Sequence, residues 1–143
     1  EDIDGLATVA GRSAVPIAAG EEWRNIHEAL PRLARRCVAV VQPEMGHTGV
    51  SQFVAIGRLA VAHHASVIPH ASIGVGIFQA ASLHAAATLP NVPYHEYQPS
   101  IFDKNLAHVT TAMRCEQGFY HLPEGFGLGV EPKPSLWDHA VQR

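Results

Sequence analysis

Apolar residues in this chain gather in short unbroken runs, and longer stretches with helical spacing separate them. The runs are Ala14–Ala19, Cys37–Val41, Ser66–Pro69 and, more weakly, Asn91–His95. Runs this short, without polar alternation, suit strands buried on both faces, as parallel strands are. Between the second and third runs, Val50, Phe53, Val54, Gly57, Ala60 and Val61 recur at helical spacing, with Arg58 and His63 off the stripe. The Ala-rich stretch from Ile73 to Leu89 predicts a well-buried helix. Glu22 to Arg36 predicts another, acidic at its start and basic at its end as the macrodipole favours, with Pro31 marking a kink or a division into two short helices. Asp4 to about Gly11 reads as a helix feeding the first strand.

The spacing matters more than any one element. Each run is followed by, or leads into, an ionisable residue: Glu21, Glu44, His70 and Glu96. The intervals are 23, 26 and 26 residues. A fixed strand-then-helix period is what a β/α barrel or an open α/β sheet produces. In both, the carboxyl ends of the strands form the active face. Polar residues after strands are common, so one would mean little; four in step point to a shared site. After Gln98 the pattern changes, which divides the chain into 1–98 and 99–143. Phe119–Leu122 resembles a strand. Gly125, Gly127 and Gly129 superficially resemble a nucleotide-binding loop, but Glu131-Pro132-Lys133-Pro134 follows instead of a helix, so that reading is rejected. The tail is expected to pack back on the fold.

Composition narrows the function classes. Of 143 residues, 47% are hydrophobic and 16% charged, which favours a folded core. A net charge of -3 argues against a nucleic-acid surface, which needs clustered Lys and Arg. The apolar stretches are broken well before the roughly 18–20 residues of a membrane span. Two cysteines, Cys37 and Cys115, are too few for a disulfide scaffold and fit a reducing cytosol, so a cytoplasmic location is expected. Cys37 reads as an inert core thiol. Glu1 opens no signal peptide and reads as an internal cut.

Glu21 and Glu44, with Glu96 as a further donor, are hard oxygen ligands, and such donors favour Mg²⁺ over Zn²⁺. His70 is the natural proton-transfer group, since imidazole titrates near neutrality. Glu44, on the preceding strand, is placed to hydrogen-bond His70 and raise its basicity. Such a set suits removal of a proton next to a carboxylate through a metal-stabilised enediolate. His47, in the loop after Glu44, is a candidate substrate contact. Trp23 and Arg24 either line the pocket or start a helix. His95 should point away from Glu96 along an extended segment. His63-His64 fit a helix C-terminus, and Ser72 fits a helix N-cap.

Pro16-Ile17-Ala18-Ala19-Gly20-Glu21, then Gln42-Pro43-Glu44 with Thr48-Gly49, then Ile68-Pro69-His70 and His95-Glu96 resemble one family. They are similar to the second half of the barrel domain in the mandelate racemase and muconate lactonizing enzyme branch of the enolase superfamily. Gly127–Val130 resembles that family's C-terminal segment. The histidine points to the mandelate racemase-like subgroup, with its acid-sugar dehydratases. The resemblance implies an α/β fold, the second half of a (β/α) TIM-type barrel, with a C-terminal segment returning toward a capping domain. It implies that Glu21 is a Mg²⁺ ligand, His70 the catalytic base, Glu44 its partner where the family usually has aspartate, and Glu96 the group meeting the substrate carboxylate or enediolate. The capping domain, the first four barrel strands and two further metal carboxylates have no counterpart here. The chain is therefore expected to be inactive alone and to form a homo-oligomer or pair with a complementary N-terminal half. The expected activity is a Mg²⁺-dependent acid-sugar dehydratase acting on a small carboxylate. The rivals are a racemase or epimerase with the same intermediate, and a noncatalytic relic or assembly module.

Overall fold

A computed structural model describes residues 2–70, 76–110, 113–139 and 141. The first part alternates helix and strand: α1 (Ile3–Arg12), β1 (Ala18–Ala19), α2 (Ile26–Ala34), β2 (Val40–Val41), α3 (Met45–Ala62), β3 (Ser66–Val67) and α4 (Gly76–Ala87). The strands form one parallel sheet in the order β1-β2-β3, with Ala19 opposite Val41 and Val41 opposite Val67. The ladder runs past the strand ends: Gln42 N–H donates to Ala19 O, Ile68 N–H to Val41 O, and His70 N–H to Pro43 O. Val41 and Val67 are fully buried, as are Phe53 and Ile56 of α3, in a core that also takes Ala29 and Leu33 of α2 and Ala85 and Ala86 of α4. This is the α/β architecture with parallel strands that the periodicity implies.

Three expectations change in detail. The helix expected over 22–36 is α2, nine residues long, because Asn25 caps it: its Oδ1 accepts from His27 N–H and Glu28 N–H. Glu28 in turn accepts from Arg24 N–H at 2.8 Å, tying the residue before the cap to the first turn. Pro31 sits inside this single helix rather than dividing it. The fourth run forms no strand; it follows β3 by isolated bonds, Val67 N–H to Asn91 O and Glu96 N–H to Pro69 O. Prolines 90 and 93 bracket Asn91 and cannot donate to a ladder. The helix expected from Ile73 is described from Gly76 onward, and Ser72 lies outside the described residues.

Beyond Gln98 come α5 (Pro99–Leu106), β4 (Arg114–Glu116), β5 (Phe119–His121) and a 3-10 helix (Pro134–His139). β4 and β5 form an antiparallel hairpin whose two-residue turn, Gln117-Gly118, has positive φ at both positions (52° and 83°). That turn matches the twist of the flanking strands. A second core of Ala80, Leu83, Phe102 and Met113 joins α4 to this part, with Tyr120 and Leu128 against it. The three glycines belong to turns, and Gly129 passes so close to Pro123 that a Cβ would lie 2.7 Å from its carbonyl.

Gly57 of α3 packs closely on Leu89, two residues past α4: a Cβ there would meet Leu89 Cδ1 at 2.2 Å. Gly57→Ala gains about 1 kcal/mol of helix propensity but forces overpacking worth about 1–3 kcal/mol. Urea unfolding should show a net loss of about 1 kcal/mol; a stabilised variant would contradict this packing.

Candidate active site

The rim residues follow from the register. Glu21 lies two positions past β1, while Glu44 and His70 each lie three past β2 and β3. Because the strands are in parallel register, these positions emerge side by side. Pro43 and Pro69, both fully buried, precede Glu44 and His70. Their carbonyls accept the N–H groups of His70 (3.2 Å) and Glu96 (3.3 Å), so the backbone of each later residue is tied to the preceding element.

Glu44 is 4% exposed and performs two tasks. Its Oε1 accepts from Gly46 N–H at 3.2 Å, capping α3, and its Oε2 binds His70 Nδ1 at 2.7 Å. The extra methylene relative to aspartate lets the carboxylate fold back onto the helix terminus while still reaching the ring. Gly46 leaves room for this: a Cβ there would lie 2.7 Å from Phe78 and 3.3 Å from Glu44 Oε1. Thr48 Oγ1 donates to Glu44 O, and Gly49 then turns the chain out of helical geometry at φ 62°, ψ 171°. The first turn of α3 is thus set apart from the long helix behind it.

His70 lies between two carboxylates, with Glu44 on Nδ1 and Glu21 Oε2 on Nε2 at 3.0 Å. Each nitrogen therefore faces an acceptor, an arrangement that favours the doubly protonated ring. Partial burial pulls its pKa down, but the Glu44 hydrogen bond and the charges of Glu96, Glu21 and Glu44 outweigh it, leaving the pKa above the ordinary 6.5. By linkage, this pairing contributes its full stability below pH 6.5, the ordinary value, and loses it as pH rises through the raised value. Glu96 joins the same face: Gln42 Nε2 donates to its Oε1 at 2.7 Å. Gln42 is not among the site residues read from the sequence, because its partner Glu96 lies 54 residues away.

The remaining candidates divide. His47 is exposed on the same rim and donates from Nδ1 to Glu21 O at 2.8 Å. Trp23 is 4% exposed and sits in the core under Arg32, so its main role is packing against Gly20 and the sheet. One part of its ring lines a cleft of about 490 Å³ beside β1, with Gly20, Glu21, Arg32 and Gln42. His95 is not directed away from Glu96: its Nδ1 bonds the Glu96 carbonyl and its Nε2 meets Ser82 Oγ, while His63 caps α3 at its C-terminus. Among the described residues no group of three potential ligands could hold a metal ion. Glu21 offers one hard oxygen donor at the rim, but a Mg²⁺ site would need further donors. No described helix is long and apolar enough to cross a membrane.

Glu44→Gln keeps an acceptor for Gly46 but removes the charge. An NMR titration of His70 in this variant should show its midpoint at lower pH than in the native chain; an unchanged or higher midpoint would contradict the dyad.

Comparison with known proteins places this geometry. The family model described as Enolase C-terminal domain-like matches residues 1–136. The chain is 28% identical over 144 residues to the D-galactonate dehydratase of Verminephrobacter eiseniae, covering 95% of this chain and 37% of that protein. Among solved structures it superposes on a Sinorhizobium meliloti protein provisionally named an isomerase (TM-score 0.92, 55% identity, 96% of this chain and 37% of that one). It likewise superposes on an enolase superfamily member from Agrobacterium tumefaciens (TM-score 0.91, 49% identity, 96% and 35%). The chain thus spans little more than a third of the length of these relatives. Members of this superfamily include lyases and isomerases and generally use Mg²⁺. With the full run of rim residues inside the matched segment, this chain belongs to the enolase C-terminal domain-like family of the enolase superfamily.

Proposed function

We propose that this chain supplies the base-bearing part of an acid-sugar dehydratase active site. The observation that carries the reading is His70 held at 2.7 Å by buried Glu44, with its Nε2 at the rim beside Glu21 and Glu96 on the same face. Glu44 fixes the ring through Nδ1, so Nε2 is the atom that exchanges a proton with the substrate. While Glu21 occupies Nε2 the ring is set as an acid; a substrate that displaces Glu21 frees Nε2 to act as a base. His70 then takes the proton α to the substrate carboxylate, the imidazolium so formed returns a proton to the neighbouring hydroxyl, which leaves as water, and the enol gains a solvent proton at C3 to give a 2-keto-3-deoxy acid. Glu96, oriented by Gln42, faces the carboxylate or enediolate, and His47 is placed to contact the sugar chain. Glu21 would hold Mg²⁺ through one oxygen donor, and the ion when bound would offset the enediolate charge.

The second reading, a racemase or epimerase, is favoured by the isomerase name of the 55%-identical Sinorhizobium meliloti structure. It shares the proton abstraction and differs in returning the proton to the opposite face. The test is a chimera in which these residues replace the matching stretch of a D-galactonate dehydratase, assayed in D₂O with Mg²⁺ and sugar acids. Deuterium should enter at the α carbon of recovered acid where the proton is returned, or at C3 of the 2-keto-3-deoxy product where water is lost, and His70→Asn should slow either by about 10²–10⁴-fold. A 2-keto-3-deoxy product identifies elimination, and an inverted stereocentre identifies epimerisation. A folded chimera that binds the acid with neither exchange nor elimination would overturn both and leave a noncatalytic module.

The partner proposal rests on β1. Among the described residues it pairs on one side only, with β2, leaving a strand edge beside the cleft. Sedimentation velocity should show concentration-dependent self-association, or capture of a complementary half when one is supplied. A stable monomer in both conditions would contradict it.

A further inference from the structure

Glu96 sits in an irregular segment tied to the element before it by one backbone bond, Glu96 N–H to Pro69 O, yet its carboxylate stays on Gln42. A glutamate side chain on an irregular loop loses considerable rotamer freedom when held in one place, so something must hold the backbone beneath it. The carbonyl of Glu96 supplies the answer. It accepts from Tyr120 Oη–H at 2.8 Å and from His95 Nδ1–H at 3.0 Å, filling both lone pairs. His95 is itself fixed, because Ser82 Oγ, on the buried face of α4, meets its Nε2 at 2.9 Å. A carbonyl can only accept, so Nδ1 carries the proton and Ser82 donates to Nε2. Burial, which outweighs the hydrogen bond and charge of Glu96, holds the His95 pKa below 6.5 and keeps this neutral tautomer. The Tyr120 ring packs edge-on against His95 and lies against Tyr97 and Phe102, so the hydroxyl approaches from a fixed direction.

We infer that Tyr120 and the Ser82–His95 pair are positioning residues for Glu96: they pin its backbone carbonyl from two sides and so keep its carboxylate at the rim. The C-terminal hairpin and α4 thereby become supports of the site, although neither contributes a residue to the rim. The catalytic consequence rests on the reading of Glu96 as the group that meets the substrate; the clamp itself does not.

The experiment uses the ¹⁵N-labelled chain and follows the side-chain amide of Gln42, whose donated proton reports the Glu96 carboxylate. Tyr120→Phe removes one hydroxyl while keeping the ring and its packing, and Ser82→Ala releases His95. In both, the Gln42 amide should move toward its position in Glu96→Ala, a change that a general loss of stability would not produce. In the dehydratase chimera, Tyr120→Phe should also slow α-proton exchange by about tenfold, the equivalent of one neutral hydrogen bond. Folded Tyr120→Phe and Ser82→Ala proteins whose Gln42 amide matches the native chain would overturn the inference. If Glu96→Gln exchanges at the native rate while the Gln42 amide shifts in Tyr120→Phe, the clamp stands and the substrate role of Glu96 falls.

Discussion

The parallel ladder is the constraint from which the rest follows. Each carbonyl at the carboxyl end of one element takes the N–H of the next: Ala19 from Gln42, Pro43 from His70, Pro69 from Glu96. A one-residue slip of β3 against β2 would turn Val67 out of the core and carry His70 to the other side of the sheet. Burial of Val41 and Val67 therefore fixes where the imidazole emerges. Hydrophobic packing, which has no chemistry of its own, determines the geometry of the proton-transfer group.

Glu44 shows how closely stability and chemistry are joined here. One carboxylate terminates the orphan amides of α3 and holds the ring of His70. At 4% exposure such a charge needs partners in the folded chain, and it has them on both oxygens. Removing it would leave a helix start uncapped and an imidazole without its anchor, so fold and site would suffer together. Glu21, by contrast, is half exposed and free to exchange one partner for another. The buried carboxylate sets the orientation and the exposed one responds to what enters.

Much of this was legible in the chain itself. Short apolar runs at a 23–26-residue period gave the strand–helix order, and the ionisable residue after each run marked the rim. That worked because a buried parallel strand needs little more than β-branched residues between turns. Asn91–His95 misled because apolar content alone does not supply a donor where proline removes it. The start of α2 was misplaced because Asn25, a single capping side chain, outweighs the helical propensity of the residues before it. Gln42, Ser82 and Tyr120 were out of reach for a different reason: their partners lie 54, 13 and 24 residues away, and no local pattern records such pairings.

The bend at Gly49 has a consequence for how such a molecule can change. Left-handed geometry there breaks the mechanical continuity between the short turn bearing His47 and the rod from Val50 to Ala62. Exposed His47 can be exchanged without transmitting torque to the buried stripe of Phe53, Ile56 and Ala60, while Met45 and Gly46 stay packed on the core and on Phe78. A lineage can thus retune what the turn greets while the scaffold behind it stays as it was, and the hinge that permits this is one residue with no side chain.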